Sequence, residues 1–349
     1  MWEIRKRQAV KAFSRLCTCI VLCVSVMIVS ALFVKLLPKS MAKAIYGKLS
    51  SSVSSETESI ETSEGEKLAN PEEITIIDST WGSVIIKDDT SYEGDAVFVS
   101  SVNLARYTKS QNPSIFVINQ TNYTINTDKC IAAAVSAGCI YAEGPTVLIY
   151  HTHGTESYIE GDTYETGESF RSEDITENVV AVGEAFAEEL RSHGINVIHD
   201  TEMYDKESYS ESYTNSKKAV KAWLHMYPSI CYVIDIHRDS VMMSEKQVKL
   251  ISEINGENVA QVMIVVGTDE SGSSHSGWLD NFTAAVHLQS KINELYPTLA
   301  RPIYLRTASF NQELSAGALL IEIGSCGNTL EEALSCARLT AKAMAEAFK

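Results

Sequence analysis

The sequence predicts an α/β fold in which a mixed, mostly parallel twisted sheet is flanked by helices. Three observations lead to this prediction. Short apolar strands alternate with amphipathic helical segments over 145–349, β-branched runs recur between polar turns over 72–142, and residues 16–34 contain no Asp, Glu, Lys, Arg or His. Alternating strands and helices are typical of a sheet covered by helices on both faces. We therefore expect a main domain at 145–349, a small β-rich module before it and an N-terminal transmembrane helix.

The N-terminus has the charge pattern of a membrane anchor. Residues 1–15 hold five Lys or Arg and one Glu, and the uncharged stretch that follows spans about 28 Å as a helix, close to the thickness of a bilayer core. We predict a cytoplasmic basic tail at 1–15, a single-pass anchor in the cell membrane at 16–37 and an extracytoplasmic remainder. The alternative is a cleaved signal peptide, because Ala42-Lys43-Ala44 resembles a cleavage site. The apolar stretch is longer than the roughly 7–15 residues of the apolar region within a signal peptide, which favours the anchor.

A polar linker and a strongly acidic part follow the predicted anchor. Residues 38–71 are predicted to be flexible, because their Ser, Thr and Glu side chains offer little to bury. The whole chain has a net charge of -16, made up of +5 over residues 1–37 and -21 over the remainder. Nucleic-acid binding depends on Lys and Arg side chains that neutralise phosphates. We therefore exclude nucleic acid as a partner.

Residues 72–142 are predicted to form the small β-rich module. Four β-branched runs lie between residues 74 and 118, and an Ala-rich segment follows them near Cys130 and Cys139. The sequence contains no CxxC pair, so neither a zinc ribbon nor a thioredoxin-like site is supported. We expect the five cysteines beyond the predicted anchor to be buried free thiols.

The main domain at 145–349 is predicted from its alternating apolar strands and amphipathic helices. The segment from Val179 to Leu190 carries apolar residues at helical spacing, and Gly194 stands where a helix cap is expected. Pro228 ends a second helix. The predicted strands are 147–150, 195–198, 230–236, 260–266, 302–305 and 318–323, and the helices after the first are 216–227, 278–296 and 329–348.

Three groups of polar residues interrupt these apolar strands at or just past the strand ends. They are His151 with His153, then His237, and finally Glu322. Functional residues in such folds cluster at the carboxyl ends of strands, so these side chains can converge. Two imidazoles and a carboxylate with an open position form the ligand pattern of a catalytic zinc ion. The alternative is that each histidine is an ordinary hydrogen-bonded side chain of the core.

Four motifs together resemble the stage II sporulation protein P family of endospore-forming bacteria. They are HTHGTES at 151–157, IDIHRD at 234–239, the segment 275–281, and LIEIGSCGNTLEEA at 320–333. The resemblance covers about residues 70–349 and the anchored N-terminus. That family is similar in turn to the zinc-dependent N-acetylmuramoyl-L-alanine amidases. The resemblance implies peptidoglycan hydrolysis during forespore engulfment, with endopeptidase activity also attributed to the family, and action with stage II sporulation proteins D and M.

The resemblance also implies roles for individual residues. His153 and His237 match the two histidine ligands of zinc, and Glu322 matches the late-strand glutamate, which we assign as general base and acid. The third ligand is chosen from helical geometry. Positions four apart share one face of a helix, and this spacing would turn Asp174 toward the interior. We therefore predict Asp174 as the third ligand, with Glu156 as its competitor.

A further set of residues is predicted to bind substrate or to support the zinc ligands: His151, Glu156, Asn178, Arg238, His275 and Asn281. Arg238 suits a substrate carboxylate or a developing oxyanion, and a structural pair with Asp239 is the alternative. His275 lies in a Gly- and Ser-rich loop, where it is either part of the site wall, a replacement ligand or a solvated side chain. The Tyr-rich loop 204–213 either lines a glycan groove or is solvated.

The sequence therefore predicts a membrane-anchored, zinc-dependent amidase that acts on peptidoglycan outside the cytoplasm. Two alternatives stay open. One is a non-catalytic scaffold that binds peptidoglycan or partner proteins, and the other is a zinc peptidase that cuts only stem-peptide crosslinks.

Overall fold

The computed structural model describes residues 96–105, 115–133, 139–165, 167–243 and 246–349. The predicted tail, anchor and linker lie outside these ranges, as does the β-rich module before residue 96. Within the described ranges, no helix is both long enough and apolar enough to cross a membrane. The N-terminal anchor therefore stays a prediction.

A seven-stranded sheet forms the centre of the described chain. In spatial order its strands are β3 (Val117–Asn119), β12 (Ile303–Arg306), β11 (Val262–Gly267), β13 (Ala318–Ser325), β7 (Tyr232–Asp239), β4 (Val147–Tyr150) and β6 (Val197–His199). Neighbouring strands run parallel, except that β11 and β13 are antiparallel. The predicted mixed, mostly parallel sheet is confirmed.

Five helices accompany the sheet in the described ranges: α1 (Thr127–Ala132), α2 (Val179–Ser192), α3 (Ser212–Met226), α4 (Trp278–Leu295) and α5 (Leu330–Ala347). Helices α2, α4 and α5 bury their apolar sides in one core with strand residues such as Ile234 and Ile321. Helix α3 contributes Val220 to a separate cluster with Leu148 and Val233. Because side chains alternate between the faces of a strand, these two clusters lie on opposite faces of the sheet.

The second face of the sheet is only partly covered by a helix. Beyond α3 it carries a small cluster of Met263, Val265 and Leu320, which is flanked by Tyr304 and Phe310. The prediction of helices on both faces is thus correct for one face and for part of the other. The remainder of the second face forms a groove.

Local sequence signals set the ends of the main helices. The Asn178 side chain accepts a hydrogen bond from the Val180 N–H and caps α2. Thr329 and Glu332 form a reciprocal capping box at the start of α5. Helix α3 begins at Ser212, before the predicted residue 216, because a 3-10 turn at Tyr209–Glu211 leads directly into it.

The described strands of the predicted 72–142 module pair with strands of the main domain. Strand β1 (Ala96–Phe98) pairs with β5 (Thr163–Glu165), and β2 (Ser100–Val102) pairs with β9 (Lys246–Ile254). Strand β9 also pairs with β10 (Glu257–Ala260) and β8 (Met242–Met243). Because a three-residue strand cannot bury a face of its own, these strands extend existing edges. Within the described ranges these strands are therefore paired with the main domain, and the bounds of the module at 72–142 stay a prediction.

The five cysteines within the described ranges are free. Cys130, Cys326 and Cys336 are buried, whereas Cys139 and Cys231 are half-buried. Burial raises the pKa of the Cys336 thiol to about 12, so this residue stays an uncharged thiol. The predicted buried free thiols are confirmed for three of the five.

Candidate active site

Strands β7 and β13 place His237 and Glu322 next to each other. The two residues are register partners in this parallel pair. Alternate residues of the same strands, such as Ile236 and Ile323, enter the core under the helices. Asp235 therefore shares the face of His237. The alternation of apolar and polar residues along these two strands builds the floor of the candidate site.

His153 reaches the same region from the loop after β4. The Thr152 N–H and hydroxyl both donate to the Asp235 carboxylate, at 2.8 and 2.6 Å, and fix this loop against β7. The His153 ring lies edge-on to the His237 ring, with centroids 5.3 Å apart. Its face stacks on the exposed Tyr209 ring at 4.4 Å. The loop and the strand thus bring the two predicted histidine ligands together.

Two buried carboxylates lie on either side of His237. Its Nδ1 is 3.4 Å from Glu156 Oε2, and its Nε2 is 3.0 Å from Asp235 Oδ1. Burial opposes a charge on the ring, but the two carboxylates outweigh it and raise the pKa of His237 well above the ordinary value. Burial likewise opposes ionisation of Glu156, but the hydrogen bond and charge of His237, aided by Arg238, hold the pKa of Glu156 at about 2. Glu156 is an anion in direct contact with His237.

Glu322 differs from the other carboxylates of the site. Burial, and next the negative charge of Asp239, raise the pKa of Glu322 to about 8. Its Oε2 is buried and has no hydrogen-bond partner among the described residues. A carboxyl group with a pKa near neutrality can both accept and donate a proton under physiological conditions. These are the properties required of a general base and acid.

A groove of about 460 Å³ opens beside His153, Glu156, His237 and Glu322. Its lining includes His153, Glu156, His237, Glu322, Arg171, Tyr209, Tyr213, Met263, Val265, Tyr304, Arg306, Phe310 and Leu320. Polar groups that can react lie at one end, and apolar and aromatic side chains extend from them along the uncovered face of the sheet. Such a combination is typical of a binding site for an organic substrate.

The donor atoms near His153 and His237 suit a metal ion in kind. Among the described residues, His153 Nδ1 and His237 Nε2 are buried without a hydrogen-bond partner, although the latter lies 3.0 Å from Asp235 outside hydrogen-bond geometry. Buried polar atoms without partners are rare in proteins. Within the described ranges, however, no three His, Cys, Asp or Glu side chains are placed so that they could hold a metal ion together. The site offers two open nitrogen donors beside the Glu156 carboxylate, without an assembled three-ligand cage.

Asp174 does not lie with these residues. The inward position predicted for Asp174 is wrong, because α2 begins only at Val179 and Asp174 belongs to the turn before it. Its exposed carboxylate accepts hydrogen bonds from the N–H and hydroxyl of Thr176. Asn178 is buried as the cap of α2 and donates to the Ser172 carbonyl. The competitor Glu156 is the carboxylate that contacts His237.

His151 belongs to a separate buried network behind the site. Its Nδ1 lies 2.9 Å from the Ile236 carbonyl, and its Nε2 lies 2.9 Å from His199 Nε2. His199 Nδ1 in turn lies 2.7 Å from Glu184. Burial lowers the pKa of His151 to about 3, so its ring is neutral. His151 therefore joins β4, β6, β7 and α2, and the groove lining does not include it.

Gly183 of α2 makes room for this network, which leads to a testable prediction. A Cβ at this position would lie 2.5 Å from His151 Cε1 and 2.8 Å from His199 Nε2. We expect Gly183→Ala to destabilise the protein by about 1–3 kcal/mol, as overpacking does, despite the higher helix propensity of alanine. Urea unfolding measures the change. The control is Gly277→Ala, where a Cβ meets no atom of the described residues within 4 Å. An equal effect of the two substitutions would contradict the argument.

The remaining predicted residues have structural contacts. Arg238 Nε donates to the Ser157 carbonyl at 3.0 Å and its Nη2 to the Phe170 carbonyl at 2.6 Å, so it ties the loop after β4 to β7. The predicted pair with Asp239 is formed instead by Arg301, at 2.8 Å. Asn281 donates to the carbonyls of Ser315, in the turn before β13, and of Ala318, the first residue of β13. His275 is buried, its Nε2 has no hydrogen-bond partner in the part of the chain that the structure describes, and it does not line the groove.

Three residues near the site were not predicted individually from the sequence, although two of them lie in the Tyr-rich loop 204–213, which was a candidate to line a groove. Asp235 supports both His237 and the loop of His153. Asp205 is buried, accepts from the hydroxyl of Thr155 at 2.6 Å and lies 4.0 Å from His153 Nδ1. The alternating position of Asp235 within IDIHRD was a signal for it. Asp205 lies in the Tyr-rich loop, where no pattern distinguishes it from its acidic neighbours. Tyr213, in the same loop, contacts the His153 ring edge-on at 5.5 Å.

Comparison with solved structures finds proteins that are similar to this chain. One of these structures is the CwlD amidase from Clostridioides difficile in complex with the GerS lipoprotein. It is 14% identical to this chain and has a TM-score of 0.38, and the match covers 58% of this chain and 96% of that chain. Another is the N-acetylmuramoyl-L-alanine amidase AmiC2 of Nostoc punctiforme, with 14% identity, 59% and 97% coverage, and a TM-score of 0.36.

In sequence, the chain is similar to Stage II sporulation protein P of Bacillus subtilis strain 168. The two are 31% identical over 213 residues, which cover 58% of this chain and 51% of that protein, so the matched part spans about half the length of the relative. A model of the stage II sporulation protein P family matches residues 48–349. The resemblance carried by the four motifs is thus confirmed, and the chain belongs to this family.

Proposed function

We propose that the chain is a zinc-dependent peptidoglycan hydrolase of sporulation, an N-acetylmuramoyl-L-alanine amidase that cleaves the amide bond between muramic acid and the stem peptide. Membership of the stage II sporulation protein P family supports this substrate and process. The observation that carries the proposal is the meeting of His153, Glu156, His237 and Glu322 at one end of a groove. These are the side chains needed for metal-assisted hydrolysis of an amide.

His153, His237 and Glu156 are the residues that would hold zinc. The support is chemical, since imidazole nitrogen and carboxylate oxygen are zinc ligands. In the described part of the chain, one buried nitrogen of each of the two histidines also has no hydrogen bond. When bound, zinc acidifies a water molecule to a pKa of about 7 and polarises a carbonyl group. Asp235 accepts from the Thr152 loop and faces His237, so it orients both histidines.

Glu322 supplies the proton chemistry of the proposed reaction. Its carboxyl group lies on the strand next to His237 and has a pKa near 8. In its ionised form it takes a proton from the attacking water, and in its protonated form it donates a proton to the leaving amine. The groove beside it positions the stem peptide.

Localisation and partners form a second part of the proposal. The predicted anchor at 16–37 would hold the enzyme on the outer face of the cell membrane. Since the remainder of the chain carries -21 and the cell wall is often anionic, attraction between opposite charges contributes little to wall binding. The anchor, together with stage II sporulation proteins D and M, would then localise the enzyme at the cell wall.

Digestion of purified sacculi by the purified full chain tests the function. We expect release of soluble fragments that stops on addition of a chelator and returns with zinc, and that falls to background for His153→Ala and His237→Ala. Zinc content of the purified chain, measured by elemental analysis, is expected to fall in both variants. Undiminished cleavage by either variant would overturn the metal assignment.

Mass spectrometry of the products separates the alternatives. Fragments with muramic acid freed of L-Ala identify an amidase. Products cut only within the stem-peptide crosslinks identify a peptidase, and binding of sacculi without any cleavage identifies a scaffold.

A further inference from the structure

The groove continues well beyond Glu322 along the uncovered face of the sheet. Across the sheet, Glu322 is the register partner of Met263 on β11, and Val265 is paired with Leu320 on one side and Tyr304 on the other. Met263, Val265 and Leu320 are buried and form an apolar floor. This floor leads from the reactive side chains toward Arg306, which lines the same groove.

Aromatic side chains flank this floor. Phe310 adopts a left-handed backbone conformation, with φ of 50°. A bulky residue in this region is strained, and such strain is found mainly at functional sites. The next residue is also left-handed and donates to the Tyr213 carbonyl at 2.8 Å, so the loop holds Phe310 beside Tyr213, with ring centroids 6.0 Å apart. Because the backbone of this groove wall is strained, we expect the wall to contact a ligand.

Arg306 closes the far end of the groove. Its guanidinium group lies 4.9 Å from the centroid of the Tyr304 ring, and the Tyr304 hydroxyl accepts a hydrogen bond from Gln120 at 2.6 Å. Arg171 and Arg301 form ion pairs with carboxylates, whereas no described carboxylate pairs with Arg306. In a chain with a net charge of -16, an unpaired arginine in a groove is an available anchor for an anion.

We propose that this part of the groove is a subsite for an acidic peptide and that Arg306 binds a carboxylate of that peptide. The inference rests on the proposed function and specifies the part of the substrate that is recognised. Glu322 and Arg306 lie two strands apart, and their register partners on β11 are four residues apart. This places the Cα atoms of Glu322 and Arg306 about 16 Å from each other. Part of this distance is taken up by the Glu322 and Arg306 side chains, and about three extended residues of a bound peptide span the rest. The carboxylate would belong to the third residue of the stem peptide, counted from the cleaved amide.

Kinetics with two synthetic substrates test the subsite. The substrates are an N-acetylmuramoyl tripeptide whose third residue has free carboxylates and the same compound with carboxamides at that residue. We expect Arg306→Gln to raise KM for the free acid by about 10–100-fold, as for the loss of a charge-assisted hydrogen bond, with kcat changed less than about threefold. For the carboxamide, the substitution should change KM by less than about twofold. Arg306→Lys should restore part of the affinity for the acid.

Arg338→Gln is the matched control, because Arg338 is an exposed arginine on α5, which packs on the other face of the sheet. It should behave as the unsubstituted chain with both substrates. Equal effects of Arg306→Gln on the acid and the amide, or no effect on either, would overturn the subsite.

A binding measurement separates this inference from the proposed function. Fluorescence anisotropy of the two labelled tripeptides is measured with the Glu322→Gln chain, in which hydrolysis should be blocked. If the unsubstituted chain cleaves nothing, the amidase proposal fails, but a preference for the acid that disappears with Arg306→Gln still supports the subsite. Equal binding of acid and amide would contradict it whatever the activity.

Discussion

Replacing Glu322 by Gln is expected to lower the rate of peptidoglycan hydrolysis by about 10²–10⁴-fold, the range for loss of a general acid–base group. Glutamine has nearly the same shape but neither accepts nor donates the proton of the reaction. The effect should appear in kcat, since the groove that binds substrate is unchanged. Release of fragments from sacculi gives the rate. Glu253→Gln, at an exposed position of β9, is the control and should retain full activity.

The same substitution is expected to stabilise the protein at alkaline pH. The pKa of Glu322 is raised from 4.5 to about 8, so its contribution to stability is complete below about pH 4.5 and is lost as the pH rises toward 8. Glutamine carries no charge at any pH and removes this loss. We expect a gain on the order of 4 kcal/mol at pH 8 and little change at pH 4.5.

Thermal unfolding of both chains in the presence of chelator measures this difference. The combination of lower activity and higher stability in one variant is the signature of a strained functional group. If Glu322→Gln retains more than half of the activity, the catalytic role is wrong. If it is equally destabilised at both pH values, Glu322 is a structural residue with an ordinary pKa.

The sequence predicted the parts of the site that lie on strands. His237 and Glu322 stand in apolar strands with a regular alternation of faces, so their side of the sheet and their proximity follow from local pattern alone. The loop after β4 was predicted for the same reason, because it begins where a buried strand ends. Local pattern is informative here because a one-residue shift would bury these polar side chains in the core.

The carboxylate that contacts His237, which belongs to Glu156, could not be predicted with the same rule. Apolar spacing of four extends from Phe186 back through Val182 and suggests that the helix also covers Asp174, but the cap at Asn178 ends it earlier. Glu156 reaches His237 only because the loop folds back over β7, where Arg238 donates its N–H to the Glu156 carboxylate at 3.2 Å. Such a long-range contact leaves no periodic signal in the sequence.

The edges of the fold were also beyond local prediction. The strand at Val117–Asn119 was expected to join a separate module, yet it pairs with Ile303–Arg306, far away in the chain. Three-residue strands carry too few side chains to show which partner they take. The strand that each short strand pairs with decides the domain boundary. The hydrogen bond from Gln120 to Tyr304, next to this pairing, also supports the end of the groove.

Replacing Asp235 by Ala is expected to cause the largest loss of stability among single substitutions in the site, about 3–5 kcal/mol. The Asp235 carboxylate is buried, accepts two hydrogen bonds from Thr152 and faces His237. Its removal leaves the Thr152 N–H without an acceptor and the Thr152 hydroxyl with only the Ser216 hydroxyl as a partner, at 3.0 Å. It also takes away one of the two carboxylates that raise the pKa of His237. The His153 loop then loses its attachment to β7.

Activity should fall more than stability alone explains. At a temperature where Asp235→Ala remains folded, we expect hydrolysis to be reduced by about 10–100-fold, as for other residues that orient metal-binding histidines. Asp235→Asn separates the two effects, because its amide oxygen can still accept from the Thr152 N–H while the negative charge is lost. It should recover much of the stability and little of the activity. Urea unfolding and sacculus digestion provide the two readouts, with the exposed Asp280→Asn as control. Full activity of Asp235→Asn would show that the charge on Asp235 has no part in orienting His237.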